Sequence, residues 1–225
     1  MTSPPRKNNA RLAIVVLISG SGSNLQAIID AIENNTLHAE IRAVISNRSD
    51  AYGLERARRH GIVTITIDHK DFSDRASFDN ALQICIDQFQ PQLLVLAGFM
   101  RILTQGFVEH YQGRMLNIHP SLLPAYTGLN THQRAIEAGD KEHGVSIHFV
   151  TNELDGGPVI SQARVPVHPD DKPEDLAQRV LAQEHHLYPQ TLEWFYQGRI
   201  QQQDNQAIFD GQPLNKPLDC TADTD

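Results

Sequence analysis

Apolar and polar positions along this chain alternate between two periods. Short apolar runs at residues 12–18, 41–46, 63–67 and 93–97 each end in polar or glycine-containing turns, as strands buried on both faces do. Between them, residues 24–33, 53–60 and 76–88 space their apolar side chains at helical intervals. Such alternation with short links predicts a parallel sheet covered by helices. Residues 115–118 add a central strand, followed by a helix at 132–138 and strands at 145–150 and 159–165. Leu176, Val180, Leu187, Leu192 and Phe195 recur at helical spacing behind Pro173 and Glu174, a suitable helix start, so a long helix over 175–196 closes the domain. The fold class is therefore α/β, with a mostly parallel central sheet and helices on both faces.

No internal repeat and no Gly- or Ser-rich linker interrupts this pattern, so one domain is expected over residues 11–210. Residues 1–10 and 211–225 are polar and aperiodic, which predicts a flexible N-terminal extension and a flexible C-terminal tail. A chain of 225 residues that is 40% hydrophobic and 20% charged buries a core without disulfides or metals. No apolar run approaches the roughly 18 residues of a membrane helix, and the run at 12–18 leads into a glycine loop, unlike a signal peptide. No membrane partner and a cytoplasmic location are expected. Cys85 and Cys220 read as unpaired thiols. Nineteen basic against twenty-seven acidic residues, a net charge of −8, argue against nucleic acid as a partner. Anionic small molecules would need local donors.

Residues 114–128, RMLNIHPSLLPAYTG, set an amide and an imidazole two residues apart before a proline-stiffened turn. At the end of a strand, Asn117 and His119 project to the same side. One is a fixed hydrogen-bond donor and the other a titratable group. That pair suits acyl transfer, in which a carbonyl oxygen gains charge while an attacking nitrogen loses a proton. A strand end whose polar residues merely cap a turn is the plainer alternative.

The first strand runs straight into Ser19-Gly20-Ser21-Gly22-Ser23-Asn24, and a helix follows, so backbone amides can converge on one phosphate. The dinucleotide fingerprint would need a third glycine where Leu25 stands and an acidic residue after the second strand, which ends Ile45-Ser46-Asn47. A nicotinamide cofactor is therefore not expected, and no Gly-Lys-Ser/Thr ending marks a nucleoside triphosphatase. Glycines that serve turn geometry alone are the competing reading.

Downstream, Asp155 precedes Gly156-Gly157-Pro158 and is the candidate partner of His119, since a carboxylate favours the charged form of a nearby imidazole. It could equally initiate its own turn. No HExxH or CxxC spacing occurs, so no metal is expected. His110, His143 and His168 read as surface or packing residues, His185 and His186 lie on the final helix, and His132 is within reach of the central loop.

Taken together, ISGSGSNLQAII, ISN, GLERAR, VLAGFMRIL, NIHPSLLP, HFV, LDGGPVI and QEHHLYP occur in an order that resembles the glycinamide ribonucleotide formyltransferases, folate-dependent enzymes of purine biosynthesis. The likeness runs from about Leu12 to Tyr196. It implies a Rossmann-like formyltransferase fold, small-molecule substrates, 10-formyltetrahydrofolate as co-substrate, and a monomer or weak homodimer. It also implies that Asn117, His119 and Asp155 are catalytic, and that Gly22, Ser23, Asn24 and Glu184 bind glycinamide ribonucleotide. Arg75, Met100, Arg101, Ile102 and Leu103, with Asn117 and Thr151, Asn152, Glu153, Leu154 and Asp155, would line the folate site. A cis peptide before Pro124 is a further implication. Leu181 stands where that family often has a polar residue, and Asn130 where it often has a histidine.

Two related enzymes share the Asn-His-Asp chemistry. Methionyl-tRNA formyltransferase normally carries a further basic RNA-binding domain, and formyltetrahydrofolate hydrolase an N-terminal regulatory one; a chain of this length is expected to hold neither. A non-catalytic phosphometabolite sensor would use the glycine loop without needing Asn117, His119 and Asp155.

Overall fold

The computed structural model describes residues 10–222, whose contacts gather into two compact units, one ending at Asn117 and the other starting at Ile118. No linker marks the division, because it falls inside the strand that carries Asn117 and His119.

In the first unit the elements are β1 (Leu12–Ile18), α1 (Ser23–Glu33), β2 (Ala39–Ser46), α2 (Tyr52–Arg59), β3 (Thr64–Thr66), α3 (Arg75–Asp87), β4 (Leu93–Leu96), α4 (Gln105–His110) and the start of β5 (Met115–His119). The strands lie in the order β3-β2-β1-β4-β5, and every pair is parallel. Every residue of β1 is buried, which is why its LAIVVLI sequence is continuously apolar and not alternating. After β3 the chain returns to the other side of β1, so β1 and β4 flank the point where strand order reverses. Loops leaving the carboxyl ends of such a pair diverge and open a crevice. Helix α4 escaped the sequence pattern because its six residues bury only Phe107 and Val108, too few to set a period.

The second unit contains α5 (Thr131–Ala138), β6 (Glu142–Phe149), β7 (Val159–Pro166), α6 (Pro173–Tyr196), β8 (Ile200–Gln203), β9 (Gln206–Phe209), β10 (Gln212–Pro213) and β11 (Leu218–Asp219). Strands β6 and β7 are antiparallel, as are β8 with β9 and β9 with β10. The long α6 starts as its Pro173 predicts, and the Lys172 backbone N–H donates to the Asp175 carboxylate at 3.0 Å. Among the described residues no helix is long and apolar enough to cross a membrane.

The flexible tail expected from residue 211 is corrected as far as residue 222. Strand β10 pairs with β9, and β11 pairs in parallel with β7, the Cys220 N–H donating to the Gln162 carbonyl at 2.8 Å. Buried Gln183 on α6 then clamps the backbone of Ala222, donating to its carbonyl at 2.9 Å and accepting its N–H at 3.0 Å. Two-residue strands carry no readable period, and their partners are supplied by β9 and β7. The expected N-terminal extension and the last three residues lie outside the described residues, apart from an exposed Ala10.

Candidate active site

The glycine loop leaves β1 and turns into α1 through Gly22, which occupies the helix N-cap in the left-handed region at φ 69°. No side chain caps α1, so none competes for the N–H groups of its first turn. A Cβ on Gly22 would stand 2.5 Å from Cα of Gly53, and a Cβ on Gly53 would in turn strike Ile18. Two glycines therefore let the loop and α2 pack backbone to backbone. The Arg56 guanidinium donates to the Ser21 carbonyl at 2.9 Å and steadies the loop from outside. Gly22, Ser23 and Asn24 line a cavity of about 460 Å³, and Met100 and Arg101 from the loop after β4 line it too. The structure thus brings part of the expected phosphate group and part of the expected folate group to one place.

Arg75 opens α3 on an exposed position, and Ile102 and Leu103 continue the segment after Met100; Met100 and Ile102 are exposed. Buried Asp79 accepts the Thr104 N–H at 2.6 Å and so fixes the far end of that segment. Asn117 is half-buried on β5, paired with Leu96 across the strands. It stands two residues before His119 on the same strand, on the same side by strand periodicity.

In the second unit the His119 imidazole is held at both nitrogens. Its Nε2 lies 2.8 Å from the Tyr126 carbonyl, which can only accept, and its Nδ1 lies 3.5 Å from Oδ2 of Asp155. The two side chains are only 7% and 9% exposed. Oxygen acceptors thus face the ring at both nitrogens. Asp155 also accepts the Gly128 N–H at 2.8 Å, and its other oxygen lies 3.9 Å from Nε2 of His148. Burial, chiefly, pushes the His148 imidazole below its ordinary pKa. Asp155 therefore ties distant loops together and does not initiate its own turn.

The partners of His119 come from strained backbone. Asp155 and Tyr126 both adopt left-handed conformations, at φ 52° and 55°, uncommon for non-glycine residues and held only where surroundings over-determine them. Around Tyr126 those surroundings are a buried polar network. Ser146 Oγ accepts from the Leu123 N–H and donates to the Ser121 carbonyl, while Gln162 Nε2 donates to the Leu123 carbonyl. The Leu123–Pro124 bond is cis, as the family resemblance implied.

Gly156 and Gly157 follow Asp155 where the chain packs closely on itself. A Cβ on Gly157 would overlap the Phe149 carbonyl, and one on Gly156 the Glu153 side chain. The Phe149 backbone therefore demands Gly157, whereas at Gly156 the Glu153 side chain can give way. Thr151 is half-buried in the loop after β6, whereas Asn152, Glu153 and Leu154 are exposed. Glu184 is buried on α6, in the unit that carries His119 and Asp155.

His143 is a packing residue, 1% exposed, with Nε2 3.2 Å from Nδ1 of His132. Burial lowers the pKa of both, that of His143 to about 4. Among the described residues no group of three or more His, Cys, Asp or Glu side chains could hold a metal ion. Sequence reasoning passed over His148, Asn47, His69 and Arg56. The first two lie inside the HFV and ISN motifs, whereas the backbone donors and acceptors at Gly128 and Tyr126 leave no sequence signal.

Residues 12–192 match the family described as formyl transferase. The phosphoribosylglycinamide formyltransferase of Escherichia coli is 57% identical over 201 residues, covering 89% of this chain and 95% of that protein. The solved phosphoribosylglycinamide formyltransferase of Coxiella burnetii, in complex with CHES, is 58% identical with a TM-score of 0.90, covering 93% of this chain and 99% of that one. The trifunctional purine biosynthetic protein adenosine-3 of Homo sapiens is 44% identical over 202 residues, which are 90% of this chain but only 20% of that protein. Fold, motifs and relatives agree, and the chain belongs to the formyl transferase family.

Proposed function

We propose that this enzyme transfers the formyl group of 10-formyltetrahydrofolate to the amine of glycinamide ribonucleotide, giving formylglycinamide ribonucleotide and tetrahydrofolate in purine biosynthesis. The observation that carries the reading is the buried His119–Asp155 pair, two residues beyond Asn117, in a chain whose close relatives bear the name of this activity. Gly22, Ser23 and Asn24 hold the substrate phosphate, and Glu184 contacts the ribosyl glycinamide. Arg75, Met100, Arg101, Ile102 and Leu103, with Asn117 and the 151–155 loop, line the folate site.

In the proposed reaction the amine nitrogen attacks the formyl carbon, and the carbonyl electron pair moves onto oxygen. The Asn117 amide and the charged His119 ring stabilise that oxyanion, the oxygen taking the place of the Tyr126 carbonyl as acceptor for Nε2–H. Asp155 keeps the imidazole charged. The amine proton passes to Asp155 or a water and then to the folate nitrogen as the carbon–nitrogen bond to folate breaks. No covalent enzyme intermediate forms, because orienting two bound substrates removes much of the entropic barrier. The enzyme acts on small molecules in the cytoplasm, as a monomer or weak homodimer, and the reaction so drawn uses neither a metal nor a nicotinamide.

Mixing the protein with both substrates and following tetrahydrofolate release tests the proposal. Release that depends on glycinamide ribonucleotide is expected. Folate turnover to free formate, indifferent to the amine substrate, would instead support a hydrolase.

A further inference from the structure

The glycine-loop cavity of the first unit contains a histidine to which the reaction above assigns nothing. His69 follows β3 in a 3-10 turn (His69–Asp71) and lines the same cavity of about 460 Å³ as Gly22, Ser23 and Asn24. Its ring stands edge-on against Phe78, with centroids 6.5 Å apart and planes at 85°. It is also the end of a directional hydrogen-bond relay.

The relay starts from a group whose polarity is not negotiable. The Met100 backbone N–H donates to Ser19 Oγ at 2.8 Å, and the Ser19 hydroxyl donates to Asn47 Oδ1 at 2.5 Å. With Oδ1 accepting, the amide orientation of Asn47 is decided, and its Nδ2 faces Nδ1 of His69 at 3.2 Å. A neutral ring that accepts the Asn47 Nδ2–H at Nδ1 carries its hydrogen on Nε2. In the charged ring Nδ1 turns donor toward the Asn47 carbonyl at 3.2 Å, with Asp68 Oδ1 3.5 Å away, and Nε2 is again protonated. Both states present an Nε2–H, and among the described residues that group has no protein acceptor.

A phosphate monoester is what this donor lacks. The start of α1 provides backbone amides but no cation of its own, since its first turn holds only Ser23, Asn24 and Leu25. Arg48 lines the cavity, but its guanidinium is engaged by Asp50 through two bonds of 2.9 and 2.7 Å. Resting on the function proposed above, we propose that His69 is a further substrate-binding and specificity-determining residue. Its Nε2–H donates to an oxygen of the phosphate monoester held at Gly22, Ser23 and Asn24, and Ser19 and Asn47 act through it as positioning residues.

Steady-state kinetics of His69→Ala, His69→Gln and Asn47→Ala test this, with both substrates varied. A lost charge-assisted hydrogen bond on a partly exposed ring corresponds to about a tenfold loss of affinity. In His69→Ala the KM for glycinamide ribonucleotide is expected to rise about tenfold, with kcat and the folate KM moving by less than about threefold. His69→Gln, which keeps an N–H donor, should recover part of the loss, and Asn47→Ala should fall between. An unchanged KM for glycinamide ribonucleotide in His69→Ala, or an equal rise for both substrates, overturns the assignment. A second readout needs no turnover: ribose 5-phosphate titrated into the protein should shift the His69 Nε2 resonance in imidazole nitrogen NMR, saturably, and with an affinity weakened by less than about tenfold in Asn47→Ala. A resonance that does not move overturns the role of His69 whatever the transfer assay shows. If the resonance moves but no formyl is transferred, the His69 site stands and the proposed reaction alone is refuted.

Discussion

Asp155 reaches the ring of His119 from a left-handed backbone position, its Oδ2 3.5 Å from Nδ1, while the same oxygen accepts the Gly128 N–H at 2.8 Å. One carboxylate oxygen thus orients the imidazole and anchors the loop that follows it. Replacing Asp155 by Asn removes the negative charge beside the imidazole and leaves a side chain that can still accept from Gly128. Turnover is expected to fall at least tenfold with the far-ultraviolet circular dichroism unchanged. A kcat within twofold of wild type would mean that the pairing is structural only.

Loss of one oxyanion donor typically costs about a hundredfold to a thousandfold in rate. Asn117→Ala and His119→Ala are each expected to fall in that range while substrate binding, measured by calorimetry, changes far less. Either variant retaining wild-type kcat would refute the proposed mechanism.

Gly22→Ala places a Cβ against Cα of Gly53 in a left-handed conformation. It should cost on the order of 1–3 kcal/mol of stability and raise the KM for the phosphorylated substrate. Urea denaturation and steady-state kinetics check the two halves separately; a rise confined to the folate KM would remove the phosphate cradle from this loop.

Stability should depend on pH through the buried histidines. The unfolded chain protonates His143 near its ordinary value of about 6.5, the folded protein only near about 4. Between those values the unfolded state binds more protons, so stability rises with pH across the window and is lost as pH falls through it. The full loss for this group is on the order of 3 kcal/mol. Denaturant midpoints at pH 7, 5.5 and 4.5 should decline in wild type and decline less steeply in His143→Gln. Parallel slopes would show that other groups carry the dependence.

Gln183→Ala leaves the N–H and carbonyl of Ala222 without their side-chain partner. A loss of about 1–2 kcal/mol and faster hydrogen exchange at the Cys220 amide are expected, since that amide pairs β11 to β7. Unaltered exchange at Cys220 would show that the tail strand holds without the clamp.

The repeating elements were legible in the chain because their cause is local. The run LAIVVLI of β1 has to be buried on both faces, and the residues from Leu176 to Phe195 have to present one apolar stripe, so burial writes the period directly into the sequence. Asn117 and His119 were legible for the same reason, standing two residues apart on a strand. The glycines of the loop after β1 were legible as a turn, and Gly22 proved to be required by Gly53. What lay beyond the chain's own reading was every relationship made between residues remote in sequence. The pairing of Asp155 with His119 crosses many residues, the Tyr126 and Gly128 contacts use backbone atoms common to all residues, and the relay from Met100 to His69 depends on which hydrogen each partner has left to give. Strands β10 and β11 belong with these, since their hydrogen-bond partners come from β9 and β7. A side chain's type is a property of the sequence, but the partner that orients it and decides where its proton resides exists only after distant segments have packed together.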